Sequence, residues 1–201
     1  MLNKTDSEIR GITHVSSQGN FVASRDKIWL ANESSKEFEQ MRYISNADLL
    51  GLKYTEQNRI YTIDKNTNQV VRFTATANSV TSPTNILRAN VNLLDAQDFA
   101  VDTDIYILFP DKLVKFTNGQ QANFQLSPLS EPAKSMTKVR LGNQIYILEP
   151  VANRVLIYDR RGELLNQVQF PNLTDMKDLY IDEAQREMLV VNGNKVYKIT
   201  F

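Results

Sequence analysis

The chain has 201 residues, a length that suits one repetitive all-β domain, and its 23 lysines and arginines are balanced by 23 aspartates and glutamates. No run of either sign marks a nucleic-acid surface, and the absence of cysteine excludes a disulfide framework, a thiolate zinc site and a cysteine nucleophile. The opening Met1-Leu2-Asn3-Lys4-Thr5-Asp6-Ser7-Glu8 lacks the apolar stretch of a secretory signal, and no apolar run approaches the ~20 residues that span a bilayer. The expectation is a soluble monomer, either whole or a domain cut from a larger protein, in a compartment the sequence does not name.

Residues 9–15 read as a lone strand with no neighbours of its own. Ile28-Trp29-Leu30-Ala31 follows, and Ser34 to Met41 reads as a strand or as a helical turn capped by Ser35. From Asp48 onward a pair of clusters recurs. The first member is Ile60-Tyr61-Thr62-Ile63, then Ile105-Tyr106-Ile107-Leu108, Ile145-Tyr146-Ile147-Leu148 and Met188-Leu189-Val190-Val191. The second is Val70-Val71-Arg72-Phe73, Leu113-Val114-Lys115-Phe116, Val155-Leu156-Ile157-Tyr158 and Val196-Tyr197-Lys198-Ile199. Phe73, Phe116, Tyr158 and Ile199 close these copies at intervals of 43, 42 and 41 residues.

A period near 40 fits either a helical solenoid or a propeller blade. The runs are short, rich in Ile, Val, Tyr and Phe, and separated by turn residues such as Asp64 to Asn68, Pro150 to Asn153 and Asp159 to Gly162, which favours strands. One blade is legible in full, with strands near Met136 to Leu141, Gln144 to Glu149, Arg154 to Asp159 and Leu164 to Phe170. The fold expected is an all-β propeller of about five four-stranded blades in a single domain, at residues 20–46, 48–88, 97–127, 134–170 and 176–201. The last copy lacks an outer strand, so residues 9–15 are expected to supply it and close the ring between the termini. Six blades would need more chain or two short blades.

Asp98 to Leu108, and Ile145-Tyr146-Ile147-Leu148-Glu149-Pro150-Val151-Ala152-Asn153-Arg154-Val155 continuing to Gly162, resemble propeller repeats of the NHL and YVTN type. The resemblance covers most of residues 48–201. Asn153-Arg154-Val155 matches the hairpin step into the third strand, while Asn68-Gln69-Val70 and Asn194-Lys195-Val196 match it in part. What the resemblance implies is a scaffold that serves unrelated roles.

Aligned on their second strands, the copies begin their inner strands with Asn20, Asp48, Asp98, Ser135 and Asp178. Around one mouth of a channel, three carboxylates would suit calcium or magnesium, or a cationic ligand. The same residue types also satisfy backbone donors where a loop enters a strand, with no ligand involved. His14, the single histidine, excludes a multi-histidine metal site and reads as a strand residue, and Trp29 reads as core. Asp102 and Asp104 resemble the start of a calcium loop without its remaining ligands, so a turn is expected there.

Two functions compete. One is a non-catalytic module binding a protein, peptide or small molecule, with no nucleic-acid or membrane partner, as a sensor or scaffold of a larger protein. The alternative is a carbohydrate-active hydrolase drawing two carboxyls from Asp48, Asp98 and Asp178, which requires a pair ~5–10 Å apart. Lacking aromatic platforms and long insertions, the sequence favours the first.

Overall fold

The computed structural model describes residues 8–15, 18–32, 35, 37–76 and 79–201. All regular structure in them is β, apart from a single 3-10 turn at Pro150–Ala152. Five antiparallel sheets follow one another along the chain. The first contains β1 (Gly11–Val15), β2 (Gly19–Ala23), β3 (Lys27–Asn32) and β4 (Glu37–Tyr43) in that order. The second contains β5 (Leu49–Thr55), β6 (Arg59–Asp64), β7 (Gln69–Thr76) and the two-residue β8 (Ser79–Val80), with β9 (Thr84–Asn85) also paired to β7. The third runs through β10 (Asp98–Val101), β11 (Ile105–Leu108), β12 (Leu113–Thr117) and β13 (Gln120–Gln121). The fourth is β14 (Lys138–Leu141), β15 (Ile145–Glu149), β16 (Arg154–Tyr158) and β17 (Leu164–Gln169), and the fifth has three strands, β18 (Met176–Asp182), β19 (Glu187–Asn192) and β20 (Lys195–Thr200).

The chain divides into two compact units, residues 1–94 with 118–120, and residues 95–117 with 121–201. The core of the first unit joins Phe21 and Ile28 of the first sheet to Leu49, Ile60 and Phe73 of the second. In the second unit β15 is apolar on both faces. Ile145 and Ile147 pack with Ala100, Leu113, Val139 and Leu156, while Tyr146 and Leu148 pack with Val155, Leu179, Met188 and Val190. A strand buried on both faces loses the alternation of a half-exposed one, which explains the unbroken Ile-Tyr-Ile-Leu run.

The recurring clusters fall on β6, β11, β15 and β19, and their partners on β7, β12, β16 and β20. Of the stretch Ser34 to Met41, residues 37–41 are strand rather than helix, since Glu37–Tyr43 pairs with β3, while Ser34 and Lys36 lie outside the described residues. Expected ring closure through residues 9–15 is corrected. β1 is the first strand of the first sheet, with Gly11 opposite Ala23 and Val15 opposite Gly19, and the last sheet ends at β20. The cause is local: Gln18 donates its N–H to Val15 O at 2.9 Å and Gly19 takes φ 110°. Glycine adopts that angle without a steric penalty, and closing a short hairpin costs far less chain entropy than joining the termini. The first blade therefore begins nine residues before Asn20, and Asn20 lies on its second strand.

Candidate functional site: aspartates latched by arginine

Asp48 immediately precedes β5. Its carboxylate accepts from Arg10 Nη1, a residue just ahead of β1, and Arg25 Nε stands 3.9 Å away. Arg10 also donates to Leu49 O at 3.4 Å, and its own carbonyl accepts Gly51 N–H at 3.2 Å. A Cβ on Gly11 would fall 2.4 Å from Leu52 N, so glycine is required where β1 runs against β5. Asp48 N–H donates to Asp64 Oδ1 at 3.0 Å, and Asp64 also accepts Asn66 N–H and the Thr67 hydroxyl, at 3.1 and 2.7 Å. Asp64 thus organises the turn expected at residues 64–68.

The second unit holds the other two aspartates. Asp98 opens β10 with its side chain only 6% exposed, and Arg140 of β14 donates Nη1 to Asp98 Oδ2 at 2.8 Å. Arg140 Nη2 donates to Asp178 of β18, and Nε donates to Leu179 O at 2.9 Å. Asp98 Oδ2 also accepts Val139 N–H at 3.2 Å, and Asp178 Oδ1 accepts Leu179 N–H at 2.8 Å. A single planar guanidinium therefore ties the first strands of three sheets, which its rigid fork of five donors allows and a lysine could not match.

Asp98 and Asp178 each accept a backbone N–H, and all three aspartates face an arginine. In a carboxylate so paired, at least one oxygen is engaged by a charge-assisted hydrogen bond. Among the described residues, no group of three His, Cys, Asp or Glu is placed to hold a metal ion. Ser135 is half-buried in the segment before β14, beside the buried Met136, whose N–H donates to Pro110 O at 2.9 Å. Asn20 lies opposite Ala31 and His14, with its Oδ1 3.0 Å from His14 Nδ1. Trp29 is buried and donates Nε1–H to Ser24 Oγ at 3.1 Å.

Asp102 and Asp104 form a turn. Asp104 N–H donates to Asp102 Oδ1 at 2.8 Å, and Asp102 pairs with Arg160. Burial alone would raise the Asp104 pKa, but hydrogen bonds from Lys115 Nζ at 2.8 Å and Thr117 Oγ1 at 2.7 Å bring it below the usual carboxylate value.

Two further polar clusters lie in the second unit. Glu149 is fully buried and accepts Arg154 Nε at 2.6 Å and Lys134 N–H at 2.7 Å, while Arg154 also donates to Gln167 Oε1 and Glu131 O, both at 3.0 Å. A cavity of about 420 Å³ opens beside this pair, bordered by Ser130, Glu131, Lys134 and Gln169. Nearby Tyr158 has its hydroxyl pKa pushed up to about 12, chiefly by burial. The second cluster lines a cavity of about 510 Å³ with Gln144, Tyr146, Glu183, Arg186 and Phe201. Glu183 accepts the N–H groups of Asn143 and Gln144, at 2.8 and 3.2 Å, and the Tyr146 hydroxyl at 2.9 Å. Burial, aided by Glu183, raises the Tyr146 pKa. A Cβ on Gly142 would stand 2.5 Å from the Glu183 carboxyl carbon, so this carboxylate rests on a bare glycine.

Sequence reasoning located the aspartates but missed Arg10, Arg140, Glu149 and Glu183. Arg140 was open to detection, because a cation on an inner strand, here Lys138-Val139-Arg140-Leu141, needs an anionic partner. Glu149 and Arg154 offered a similar sign, as charges bracketing two continuous apolar runs.

The chain is similar to solved β-propellers along nearly its whole length. One is a catalytically inactive histidine-to-alanine variant of virginiamycin B lyase from Staphylococcus aureus with quinupristin, 12% identical with a TM-score of 0.63, covering 98% of this chain and 71% of that one. Another is the WD40 β-propeller domain of Doa1, 12% identical with a TM-score of 0.69, covering 99% and 67%. A third, a protein of unknown function from Bacteroides caccae, is 7% identical with a TM-score of 0.69, covering 98% and 79%. No protein-family model matches the chain, and no curated protein sequence matches it. At these identities the likeness establishes the fold, a β-propeller of five blade-like sheets.

Proposed function

We propose that the chain is a non-catalytic propeller module that binds a protein or peptide partner, with no metal or organic cofactor. The observation that carries this reading is the pairing of Asp48 with Arg10, and of Asp98 and Asp178 with Arg140. A glycosidase needs one carboxyl held protonated and another free to attack or to activate water. A carboxylate that accepts from a guanidinium has that oxygen turned to the arginine and not to a substrate or a water. Binding requires only shape and exposed side chains, and Tyr180 and Val196 of the last sheet are 59% and 63% exposed. The Doa1 domain, named as a WD40 propeller, lends the same reading by analogy of fold. We assign the repeats to the NHL and YVTN type on Asn153-Arg154-Val155, where Asn153 takes the left-handed φ of 50° that turns the hairpin into β16.

The lyase neighbour prompts a direct check, since replacing a histidine inactivates that protein, whereas His14 of this chain is exposed and bonded to Asn20. The purified protein should leave quinupristin and a panel of aryl glycosides intact, and should enrich peptides that bind saturably from a random display library. Turnover that scales with protein concentration and disappears in Asp98→Asn would overturn the proposal.

A further inference from the structure

Residues 122–137 carry no strand and cross from the third sheet to the fourth. This strap is pinned near both ends. Ser127 donates its N–H to Gly162 O at 2.7 Å, and its hydroxyl oxygen accepts Leu164 N–H at 2.8 Å. Met136 donates its N–H to Pro110 O at 2.9 Å, in the turn between β11 and β12. Pro128 and Pro132 fix two of the backbone angles between these anchors. Leu126, Leu129, Pro132 and Met136 of the strap wall a cavity of about 270 Å³, which Tyr158 and Asp111 also line. All of these residues belong to the second unit.

The two polar side chains differ sharply in exposure. Tyr158 is 1% exposed, lies opposite Leu164 and packs with Met136 and Leu156. Its hydroxyl has no hydrogen-bond partner among the described residues, and burial keeps it protonated, with its pKa pushed up to about 12. A buried hydroxyl left unpaired is unfavourable, so a ligand that bonds it supplies an interaction the fold leaves unmade. Asp111 is exposed in its turn and makes no ion pair or hydrogen bond among the described residues. The neighbouring Lys112 turns its Nζ over the Phe109 ring, 5.3 Å from the ring centre, and leaves the carboxylate to an outside cation.

This polarity selects a ligand. Its cation stays at the exposed acid, where water still solvates it, and its apolar body enters among the leucines toward the buried hydroxyl. Sites for drug-sized ligands run from ~300 to ~1,000 Å³, so a cavity below that range suits one large side chain. An ammonium, an apolar ring and a terminal hydroxyl occur together in an amino-terminal tyrosine. We propose that the cavity receives the amino-terminal tyrosine of a partner protein, with its α-ammonium on Asp111, its ring among Leu126, Leu129 and Met136, and its phenol on the Tyr158 hydroxyl. The inference rests on the binding-module reading and gives it a site and a partner class. Tyrosine is preferred to phenylalanine because a site that bonds a hydroxyl is left unpaired by a ligand lacking one.

The probe is the peptide Tyr-Gly-Ser-Gly-Ser, labelled at its C-terminus. It should bind saturably, and its N-acetylated form should bind at least about tenfold more weakly. The version beginning with phenylalanine should lose at least about fivefold. Asp111→Asn should bring the free and acetylated peptides level. Tyr158→Phe should bring the tyrosine and phenylalanine peptides level while leaving the thermal midpoint unchanged, since the hydroxyl has no partner within the fold. No binding by the tyrosine peptide, equal binding of the acetylated one, or indifference to both substitutions would overturn the inference. So would saturable binding of tyramine by a protein that ignores the peptide, since a free amine would then be the occupant. If display-selected peptides bind while Asp111→Asn and Tyr158→Phe leave them unaffected, the cavity inference fails and the module reading survives. Turnover of a small substrate by a protein that still binds the tyrosine peptide would do the opposite, ending the non-catalytic reading while the cavity inference stands.

Discussion

Glu149→Ala is expected to lower the unfolding free energy by about 3–5 kcal/mol, the loss typical when one partner of a buried ion pair is removed. The Glu149 side chain has no exposure and that of Arg154 has 4%, so after the change the guanidinium remains in the interior with only neutral acceptors, Gln167 Oε1 and Glu131 O. Lys134 N–H also loses its acceptor, which loosens the strand-free segment 122–137 from the fourth sheet. For a chain of this size the loss corresponds to a fall in Tm of roughly 6–20 °C, read by thermal unfolding. A double replacement, Glu149→Leu with Arg154→Met, should recover most of it, because apolar groups of similar volume leave no charge unpaired. Single variants within about 1 kcal/mol of the parent would show that water already solvates the pair.

Arg140→Ala is expected to cost about 2–3 kcal/mol, less than the Glu149 change because Arg140 is 24% exposed and solvent screens part of its charge. Its partners should respond unequally. The Asp98 side chain is 6% exposed and that of Asp178 is 45%. Asp98→Ala should therefore approach the cost of Arg140→Ala, whereas Asp178→Ala should cost no more than about 1 kcal/mol. Arg140→Lys should restore only part of the stability, since an ammonium reaches one carboxylate and cannot also span to Leu179 O. Urea midpoints for the four variants would show the ordering, and equal costs for the two aspartates would contradict it.

The fold was legible where strands follow one another locally. The Ile-Tyr-Ile-Leu runs and the β-branched runs after them mark the second and third strands of the sheets, and Asp64, Asn68, Asn153 and Gly162 mark the turns. First and fourth strands were less legible. β8 and β13 are two residues long and carry no periodicity, and β1 was read as a leftover because the repeat was aligned from Asn20. That one-strand displacement produced the ring-closure error and put Asn20 among the inner-strand residues. At the site, the aspartates announced themselves by recurring at equivalent positions. Their arginines did not, because Arg10 and Asp48 are 38 residues apart and Arg140 and Asp98 are 42 apart. Pairing across sheets leaves no trace in local spacing, and only counting the charges demanded by each apolar strand would have exposed it.

If the inner-strand aspartates are latched by arginine, a divalent cation would have to compete with a guanidinium for each of them. Calorimetric titration of the parent protein with calcium and with magnesium tests this directly, and the expected result is no saturable heat with either ion. Stoichiometric binding that is lost in both Asp98→Ala and Asp178→Ala would contradict the latch and return these carboxylates to the role of ligands.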